Sequence, residues 1–241
     1  MLIRLFTDFG WSGPYVGQLK TRLAAAGGVV VDLMHDAPCF DPRASAYLLA
    51  ALRRHEPSSG LWLTVVDPGV GSERRAVALQ ADGHWWLGPD NGLLSQVVRH
   101  SGEVAAWELP VPEGSSATFH GRDVFVPAAL QLLSEGPSGW REIEPRTLDR
   151  PEWPDDWAAV IYVDGYGNAM TGLRAEAVSS AARLEVGGRV LPRGRIFAER
   201  PRGEAFCYVN SLGLWEVAVN GDNAARCLGL APGTPVRVVT I

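Results

Sequence analysis

Five segments of alternating type fill the first 66 residues and constrain the fold more than any other feature of the sequence. Residues 2–6, 29–34 and 61–66 are short, largely apolar runs, which are typical of buried strands. Between them, residues 15–26 and 44–54 carry apolar side chains at helical spacing. Strand, helix, strand, helix and strand in succession predict an α/β fold with a mostly parallel sheet.

Polar side chains follow each of the three predicted strands. Asp8 follows the first strand, His35 the second and Asp67 the third. Because ligands bind at the carboxyl ends of the strands in open parallel sheets, this edge is the predicted site. No GxGxxG pattern follows the first strand, which argues against a dinucleotide-binding turn.

The segment at residues 65–75, VVDPGVGSERR, is the most informative strand end. Asp67 lies at the tip of the strand, and the Pro-Gly pair after it suits the centre of a tight turn. Gly71 is expected to let the backbone approach a ligand closely. The loop then brings Arg74 or Arg75 beside the carboxylate. By itself this segment is as compatible with an ordinary turn, in which the aspartate is solvated and the arginine forms an ion pair, as with a ligand site.

The middle of the chain has a more mixed pattern. Residues 76–80 and 84–87 predict paired strands, and residues 93–99 predict a short helix. His120 comes just ahead of an apolar helical run at residues 124–133. Unpaired N–H groups and the positive end of the helix dipole suit an anion or a polarised water there. A single histidine at such a position is more often a capping residue than a catalyst.

A Pro-rich and charged stretch at residues 150–156 is the predicted boundary between an N-terminal α/β domain, residues 1–150, and a smaller C-terminal domain, residues 158–241. Short β-like runs separated by glycine-containing turns follow, which predicts an antiparallel sheet or barrel. These runs are residues 158–163, 182–186, 190–191, 205–209, 215–219 and 236–241.

Composition excludes several classes of partner. The chain has 241 residues, of which 46% are hydrophobic and 20% charged, with a net charge of −5 and no basic cluster. Nucleic acid and anionic membranes are therefore not expected partners. The apolar runs are too short to span a bilayer and the N-terminus lacks the order of a signal peptide, so a cytoplasmic location is expected. Three widely separated cysteines argue against a disulfide framework.

Two general kinds of catalytic site receive little support from the sequence. Asp8, His35, Asp67, Asp90 and His120 are residue types that bind zinc or manganese, but no HxxxH, HxD or CxxC spacing accompanies them. A Ser–His–Asp hydrolase would need a G-x-S-x-G elbow, which is missing. Neither a metal nor another cofactor is therefore expected.

Seven motifs in order along nearly the whole chain are together specific. They are TDFG at Thr7, YVGxxK at Tyr15, VDPGVGxxRR at Val66, GPDNGLLS at Gly88, TFHGRDxFxP at Thr118, DxxGN at Asp164 and NSxGxxEVAVN at Asn210. In these motifs the sequence resembles the S-adenosylmethionine (SAM) hydroxide adenosyltransferases. This family hydrolyses SAM to adenosine and is related to the fluorinase and the chlorinase.

The resemblance implies an N-terminal α/β domain, a C-terminal β-barrel domain and a homotrimer. Its active sites would lie between the N-terminal domain of one subunit and the C-terminal domain of the next. A catalytic aspartate, arginine and histidine are also implied, and they fall on Asp67, Arg74 and His120; the family spacing selects Arg74 rather than Arg75. Since the halogenases replace this trio, its presence favours water over halide as the nucleophile.

Residues that bind the nucleoside are implied in the same way. Asp8 would bind the ribose hydroxyls, and Phe40 would pack against the sugar. Tyr166 would stack on the adenine, Asn168 would contact its edge, and the backbone near Ala224 would complete that pocket. Ordinary roles are the alternative, since Phe40 would also suit a core position and Asn168 a turn.

The methionine end of SAM would be held by Ser211 and Asp164. Glu216 interrupts the apolar alternation of its predicted strand, so it is either exposed or contacts a ligand amine. The sequence departs from the family at Gly13, where an aspartate is common. Loss of that acid affects recognition of the methionine ammonium, for which Asp164 or Glu216 would have to compensate, unless the substrate side chain differs from methionine.

The expected reaction is in-line attack of water on the ribose C5′ of SAM. Methionine departs as a neutral thioether, so the difficulty lies in activating the nucleophile. Asp67 and His120 would hold the water and withdraw its proton, and Arg74 would orient Asp67. The alternatives are a SAM-dependent halogenase that uses chloride or fluoride, a non-catalytic sensor of adenosine or SAM, and a metal-dependent hydrolase.

Overall fold

A computed structural model describes residues 2–56 and 58–240, and the chain divides into two compact units. The first unit extends to Ala46 and resumes from Glu56 to Pro151. The second unit consists of Tyr47–His55 and of the chain from Glu152 onward. Each unit has its own sheets and its own buried core.

Seven strands form one sheet in the described part of the first unit. They are β1 (Leu2–Thr7), β2 (Val29–Met34), β3 (Leu61–Val65), β4 (Ala76–Ala81), β5 (His84–Pro89), β6 (Val104–Glu108) and β7 (Arg141–Ile143), in the spatial order β2-β1-β3-β5-β4-β6-β7. The pairs β1–β2, β1–β3 and β3–β5 are parallel, and the remaining pairs are antiparallel. All of these strands except β4 and β7 therefore point the same way, which confirms a mostly parallel sheet.

Four α-helices begin within the same described residues. They are α1 (Tyr15–Ala25), α2 (Pro42–Arg53), α3 (Ser95–Arg99) and α4 (Val126–Glu135). α1 buries Leu19 and Leu23 in the same core cluster as the strand residues Ile3 and Leu5, which confirms its predicted apolar face. In the part of the chain that the structure describes, no helix is both long enough and apolar enough to cross a membrane.

The start of α4 differs from the sequence prediction. A π-helical turn at Gly121–Phe125 precedes it, and regular α-helix begins only at Val126. Pro127 explains the position, because a proline fits the first turn of an α-helix, where its missing N–H would have no partner. His120 immediately precedes the π-helical turn, as its predicted place ahead of a helix requires.

In the described part of the second unit, the strands form two antiparallel sheets. Its strands are β8 (Trp157–Val163), β9 (Ala169–Arg174), β10 (Arg183–Val186), β11 (Arg189–Val190), β12 (Ala205–Val209), β13 (Leu214–Val219) and β14 (Arg237–Val239). The sheet orders are β11-β10-β14 and β12-β13-β9-β8. The antiparallel character is as predicted, and Ile241, at the end of the last predicted run, lies outside the described residues.

Four elements were not predicted from the sequence, namely β6, β7, β9 and the short helix α5 (Ala224–Leu228). β6 and β7 are short and carry charged residues, and β9 contains Gly172, so their local β-propensity is low. Hydrogen bonding to neighbouring strands on both sides stabilises β6 and β9, since β6 lies between β4 and β7 and β9 lies between β8 and β13.

Candidate active site

The loop after β3 is closed by a tight turn that holds Asp67. The Val70 N–H donates to the Asp67 carbonyl at 3.3 Å, so the predicted Pro-Gly turn is present. Gly71 has φ +78°, and a Cβ at this position would lie 2.2 Å from the Ala117 carbonyl oxygen. The close neighbour of Gly71 is thus a loop of the chain itself, the one that leads to His120, and its approach to a ligand stays a prediction.

Arg74 joins the Asp67 carboxylate to the His120 ring. Its Nε donates to Asp67 Oδ1 at 2.8 Å, and its Nη2 donates both to Asp67 Oδ2 and, at 2.9 Å, to His120 Nδ1. The side chains of Asp67 and Arg74 are only 4% and 8% exposed, so each compensates for the desolvation of the other. Arg75, the alternative arginine, instead pairs with Asp90.

The protonation of His120 follows from these contacts. A guanidinium only donates hydrogen bonds, so Nδ1 accepts from Arg74 and the neutral ring carries its proton on Nε2. Burial lowers the pKa of His120, and the Arg74 charge lowers it further, whereas Asp67 and Asp123 oppose these effects. The ring is therefore neutral at pH 7, with Nε2–H as its remaining donor.

One cavity of about 340 Å³ in the first unit is lined by Asp67 and His120 together with Asp8 and Phe40. Burial raises the pKa of Asp8 and the nearby Asp67 charge adds to this, while a hydrogen bond from the Phe40 N–H at 3.1 Å opposes it. Phe40 is 76% exposed, so it is not a core residue. Seven further residues line the cavity and were not among the predicted site residues: Phe9, Tyr15, Val65, Val70, Thr118, Phe119 and Gly121.

A larger pocket, of about 860 Å³, lies within the second unit. Five residues implied to bind substrate line it: Asp164, Tyr166, Asn168, Ser211 and Glu216. Tyr166 is 83% exposed, so its ring face is open to a ligand. Asp164 accepts hydrogen bonds from the N–H of Tyr166 and from both nitrogens of Asn168, at 2.9 to 3.1 Å. Asn168 therefore serves the turn through its nitrogens and retains its side-chain oxygen for another donor.

Glu216 is buried on the floor of this pocket, with 1% exposure, so the alternative of an exposed glutamate is excluded. The Tyr208 hydroxyl donates to Oε1, and Asn210 Nδ2 donates to Oε2 at 2.7 Å. Burial and the Asp164 charge raise the pKa of Glu216, although the two hydrogen bonds act against this. The pKa of Tyr208 is also raised, by burial and by Glu216, so its phenol keeps its proton and donates.

Ala224 is not among the residues that line the pocket. It is fully buried as the first residue of α5, and the pocket is lined instead by its neighbours Asp222 and Asn223. Eight other lining residues were not predicted to bind substrate: Gly165, Met170, Phe197, Tyr208, Asn210, Val219, Gly221 and Arg226. Tyr208 could not be found from local sequence, because it meets Glu216 only as a cross-strand pair of β12 and β13.

The five residues considered as metal ligands do not form one group, because Asp8, Asp67 and His120 line the cavity of the first unit while His35 and Asp90 have other partners. Both ring nitrogens of His35 are engaged in hydrogen bonds within the protein, and Asp90 is bound by Arg75 and Arg150. Within residues 2–56 and 58–240, no group of three or more His, Cys, Asp or Glu side chains is placed to hold a metal ion.

The chain thus has an α/β fold in which a buried Asp–Arg–His trio lies beyond the carboxyl end of β3. Models of the SAM hydroxide adenosyltransferase N-terminal and C-terminal domains match residues 3–139 and 158–237. The chain belongs to the SAM hydroxide adenosyltransferase family.

Individual relatives agree with this assignment. The chain is 42% identical to a Thermus thermophilus protein named (R)-S-adenosyl-L-methionine hydrolase, over 98% of this chain and 99% of the relative. A protein of the same name from Salinispora arenicola is 38% identical, over 98% and 97% of the two chains. A crystal structure of a conserved hypothetical protein from Thermus thermophilus superposes with a TM-score of 0.80 at 39% identity, covering 98% and 99% of the two chains.

Proposed function

We propose that this protein hydrolyses SAM to adenosine and L-methionine. The observation that carries the proposal is the Asp67–Arg74–His120 arrangement, in which a buried carboxylate and a neutral histidine are held by one guanidinium beside a cavity. Full-length relatives that are named SAM hydrolases support the choice of substrate and of water as the nucleophile.

The catalytic roles follow from the hydrogen bonds. Water forms the new C5′–O bond while the C5′–S bond breaks, and the electron pair of that bond stays on the sulfur of neutral methionine. His120 offers only Nε2–H, so it orients the water oxygen and stabilises its growing negative charge. Asp67 retains a free lone pair on each oxygen and accepts the proton of the water, and Arg74 keeps both groups in place.

The remaining site residues bind substrate. Asp8 accepts hydrogen bonds from the ribose hydroxyls, a geometry that suits a carboxylate and a cis-diol, and Phe40 packs against the sugar. In the second unit, Tyr166 stacks on the adenine. Hydrogen bonds to the adenine edge and to the amino acid end come from the other predicted positions: Asp164, Asn168, Ser211, Glu216 and the backbone near Ala224.

The finer features of the family resemblance are part of this proposal. They are a closed β-barrel in the C-terminal domain, domain limits at residues 1–150 and 158–241, a cytoplasmic location, independence of metal and a homotrimer with active sites between subunits. Phe40 and Tyr166 support the trimer, because at 76% and 83% exposure each large ring is available to a neighbouring subunit or to a ligand.

An isotope experiment tests the reaction. The purified protein is incubated with SAM in ¹⁸O-water, in a halide-free buffer that contains a chelator, and the nucleoside is analysed by mass spectrometry. Adenosine with ¹⁸O at the 5′ position is the expected product, and the Asp67→Asn variant serves as the inactive control.

The same experiment separates the alternatives. A 5′-halogenated nucleoside, formed only when chloride or fluoride is added, would establish the halogenase. Tight binding of SAM without turnover would indicate a sensor, and activity that disappears with the chelator would indicate a metal-dependent hydrolase.

A further inference from the structure

A chain of side-chain hydrogen bonds runs beneath the loop that carries Asp8. Thr7, the last residue of β1, contacts His35 across the end of β2, with 2.8 Å between Thr7 Oγ1 and His35 Nδ1. His35 Nε2 lies 3.1 Å from Asp32 Oδ1, and Lys20 Nζ on α1 donates to Asp32 Oδ2 at 2.6 Å. Four residues on three elements are thus linked in one line.

The groups at the two ends of this row of hydrogen bonds determine which atom donates and which accepts at each step. Asp32 is held by Lys20, and these contacts lower its pKa, so it is an acceptor for His35 Nε2–H. In the tautomer that carries its proton on Nε2, Nδ1 then accepts from the Thr7 hydroxyl. The Thr7 oxygen in turn accepts from the Phe9 N–H at 3.3 Å. Every polar atom along the line therefore has one role, and the last bond reaches the residue after Asp8.

Backbone contacts of the same residues hold both sides of Asp8. The Gly10 N–H donates to the His35 carbonyl at 2.6 Å, and the Ala37 N–H donates to the Thr7 carbonyl at 3.1 Å. Thr7 and His35 are 0% and 1% exposed, so water cannot replace a missing partner in this chain. The backbone on both sides of Asp8 is thus held by residues that do not line the cavity themselves.

We propose that Thr7 and His35 are positioning residues that set the selectivity of this protein for a nucleoside with a cis-diol. They act through Asp8, and the inference rests on the proposed function in that Asp8 binds the ribose. Removal of the Thr7 hydroxyl leaves His35 Nδ1 without a donor and the Phe9 N–H without an acceptor. The loop then relaxes and Asp8 loses its alignment with the two hydroxyls.

The test compares the binding of adenosine and of 2′,3′-dideoxyadenosine by calorimetry. The wild-type protein is expected to prefer adenosine by roughly 10²-fold, the effect of hydrogen bonds to a charged group. Thr7→Val, which keeps the shape of the side chain, is expected to reduce this preference to less than about tenfold, whereas Thr7→Ser restores it. The ratio of the two affinities does not change if the variant merely lowers the fraction of folded protein.

Thr64→Val is the matched control. Thr64 is a fully buried threonine on the neighbouring strand β3, and its hydroxyl donates to the Leu87 carbonyl at 3.0 Å, so the substitution removes one buried hydrogen bond away from Asp8. Its preference for adenosine is expected to equal that of the wild type. If Thr7→Val does not fold, Asp32→Ala serves instead, because Asp32 lies at the more exposed end of the row of hydrogen bonds. This variant is also expected to reduce the preference for adenosine.

The outcomes are distinguishable from a failure of the proposed function. Wild-type protein that binds both nucleosides equally, or binds neither, would overturn the role of Asp8 and the inference, whereas the formation of ¹⁸O-labelled adenosine from SAM decides the proposed function separately. A clear wild-type preference that Thr7→Val and Asp32→Ala leave intact would overturn the inference alone. Equal loss of preference in Thr7→Val and Thr64→Val would also overturn it, because the effect would then be general.

Discussion

The cavity of the first unit and the pocket of the second unit compensate for buried acids in different ways. Asp67 is paired with a guanidinium through two hydrogen bonds, whereas Glu216 receives hydrogen bonds only from a phenol and an amide. Within the described residues, no arginine, lysine or histidine side chain contacts Glu216. The first arrangement is complete without a ligand, whereas in the second the described residues offer the acid no cationic partner and its pKa is raised.

The difference matches the two tasks that the proposed function requires. A reacting water needs groups that are fixed before the substrate arrives, because reorganisation during the reaction would raise the barrier. A cationic substrate needs an acidic site that it can neutralise itself, and SAM carries a sulfonium and an ammonium. The cost of burying Glu216 without a cation would therefore be recovered on binding. The four predictions below test this contrast, beginning with the largest effect.

Asp67→Asn is expected to reduce kcat by about 10²–10⁴-fold, the usual contribution of general base catalysis. The amide keeps the shape of the side chain but cannot accept the proton of the water. Adenosine affinity should change by less than about threefold, since Asp67 contacts the reacting centre. Single-turnover kinetics and calorimetry measure the two quantities, and full turnover by the variant would contradict the assignment.

Tyr166→Ala is expected to weaken nucleoside binding by about 1–3 kcal/mol, the contribution of one base–aromatic stack. Because the side chain is 83% exposed, the Tm should not change. Val238→Ala, a partly exposed position that does not line the pocket, is the control and should bind as the wild type does. An unchanged nucleoside affinity in Tyr166→Ala would contradict the placement of the adenine in this pocket.

Glu216→Gln is expected to raise the Tm at neutral pH by roughly 2–4 °C, the change that 1 kcal/mol produces in a chain of this size. Folding raises the pKa of this acid above its usual 4.5, so the folded state binds the extra proton. Wild-type stability therefore falls as the pH rises from 4.5 through the raised pKa, and the glutamine variant lacks this loss.

The measurement for Glu216 is the Tm of both proteins as a function of pH, together with their affinities for SAM and for adenosine. The advantage of the variant should shrink as the pH falls toward 4.5. Its affinity for SAM should fall more than its affinity for adenosine, which carries no positive charge. Equal losses for both ligands would contradict a role for Glu216 in binding a cation.

The smallest expected effect concerns His120. Its lowered pKa places the acidic limb of the kcat/KM profile below the 6.5 of an ordinary histidine, because the neutral ring is the form that Arg74 holds. The charge of Asp123 raises the pKa of His120, so Asp123→Asn should move this limb to still lower pH. A limb at or above 6.5 in the wild type would show that another group controls the profile.

Local sequence was sufficient to predict those structures that depend on residues close together along the chain. The Pro-Gly turn after Asp67 and the start of α1 at Tyr15 were both predicted, because turn chemistry and helical periodicity act over a few residues. The same reasoning missed β6 and β9, which have weak propensity and depend on pairing with other strands. The contact of Gly71 with Ala117 was likewise not predicted, because it joins residues far apart in the sequence.

The sequence by itself therefore determined the α/β class, the strand ends that carry Asp8 and Asp67, and, through its motifs, the family. Only the tertiary structure decided which polar groups meet. It placed Arg74, which the family spacing had already selected, between Asp67 and His120, placed Glu216 opposite Tyr208, and paired His35 with Thr7. The physical reason is that hydrogen bonds depend on distance and direction between residues far apart in the chain, and these are set by strand order and register.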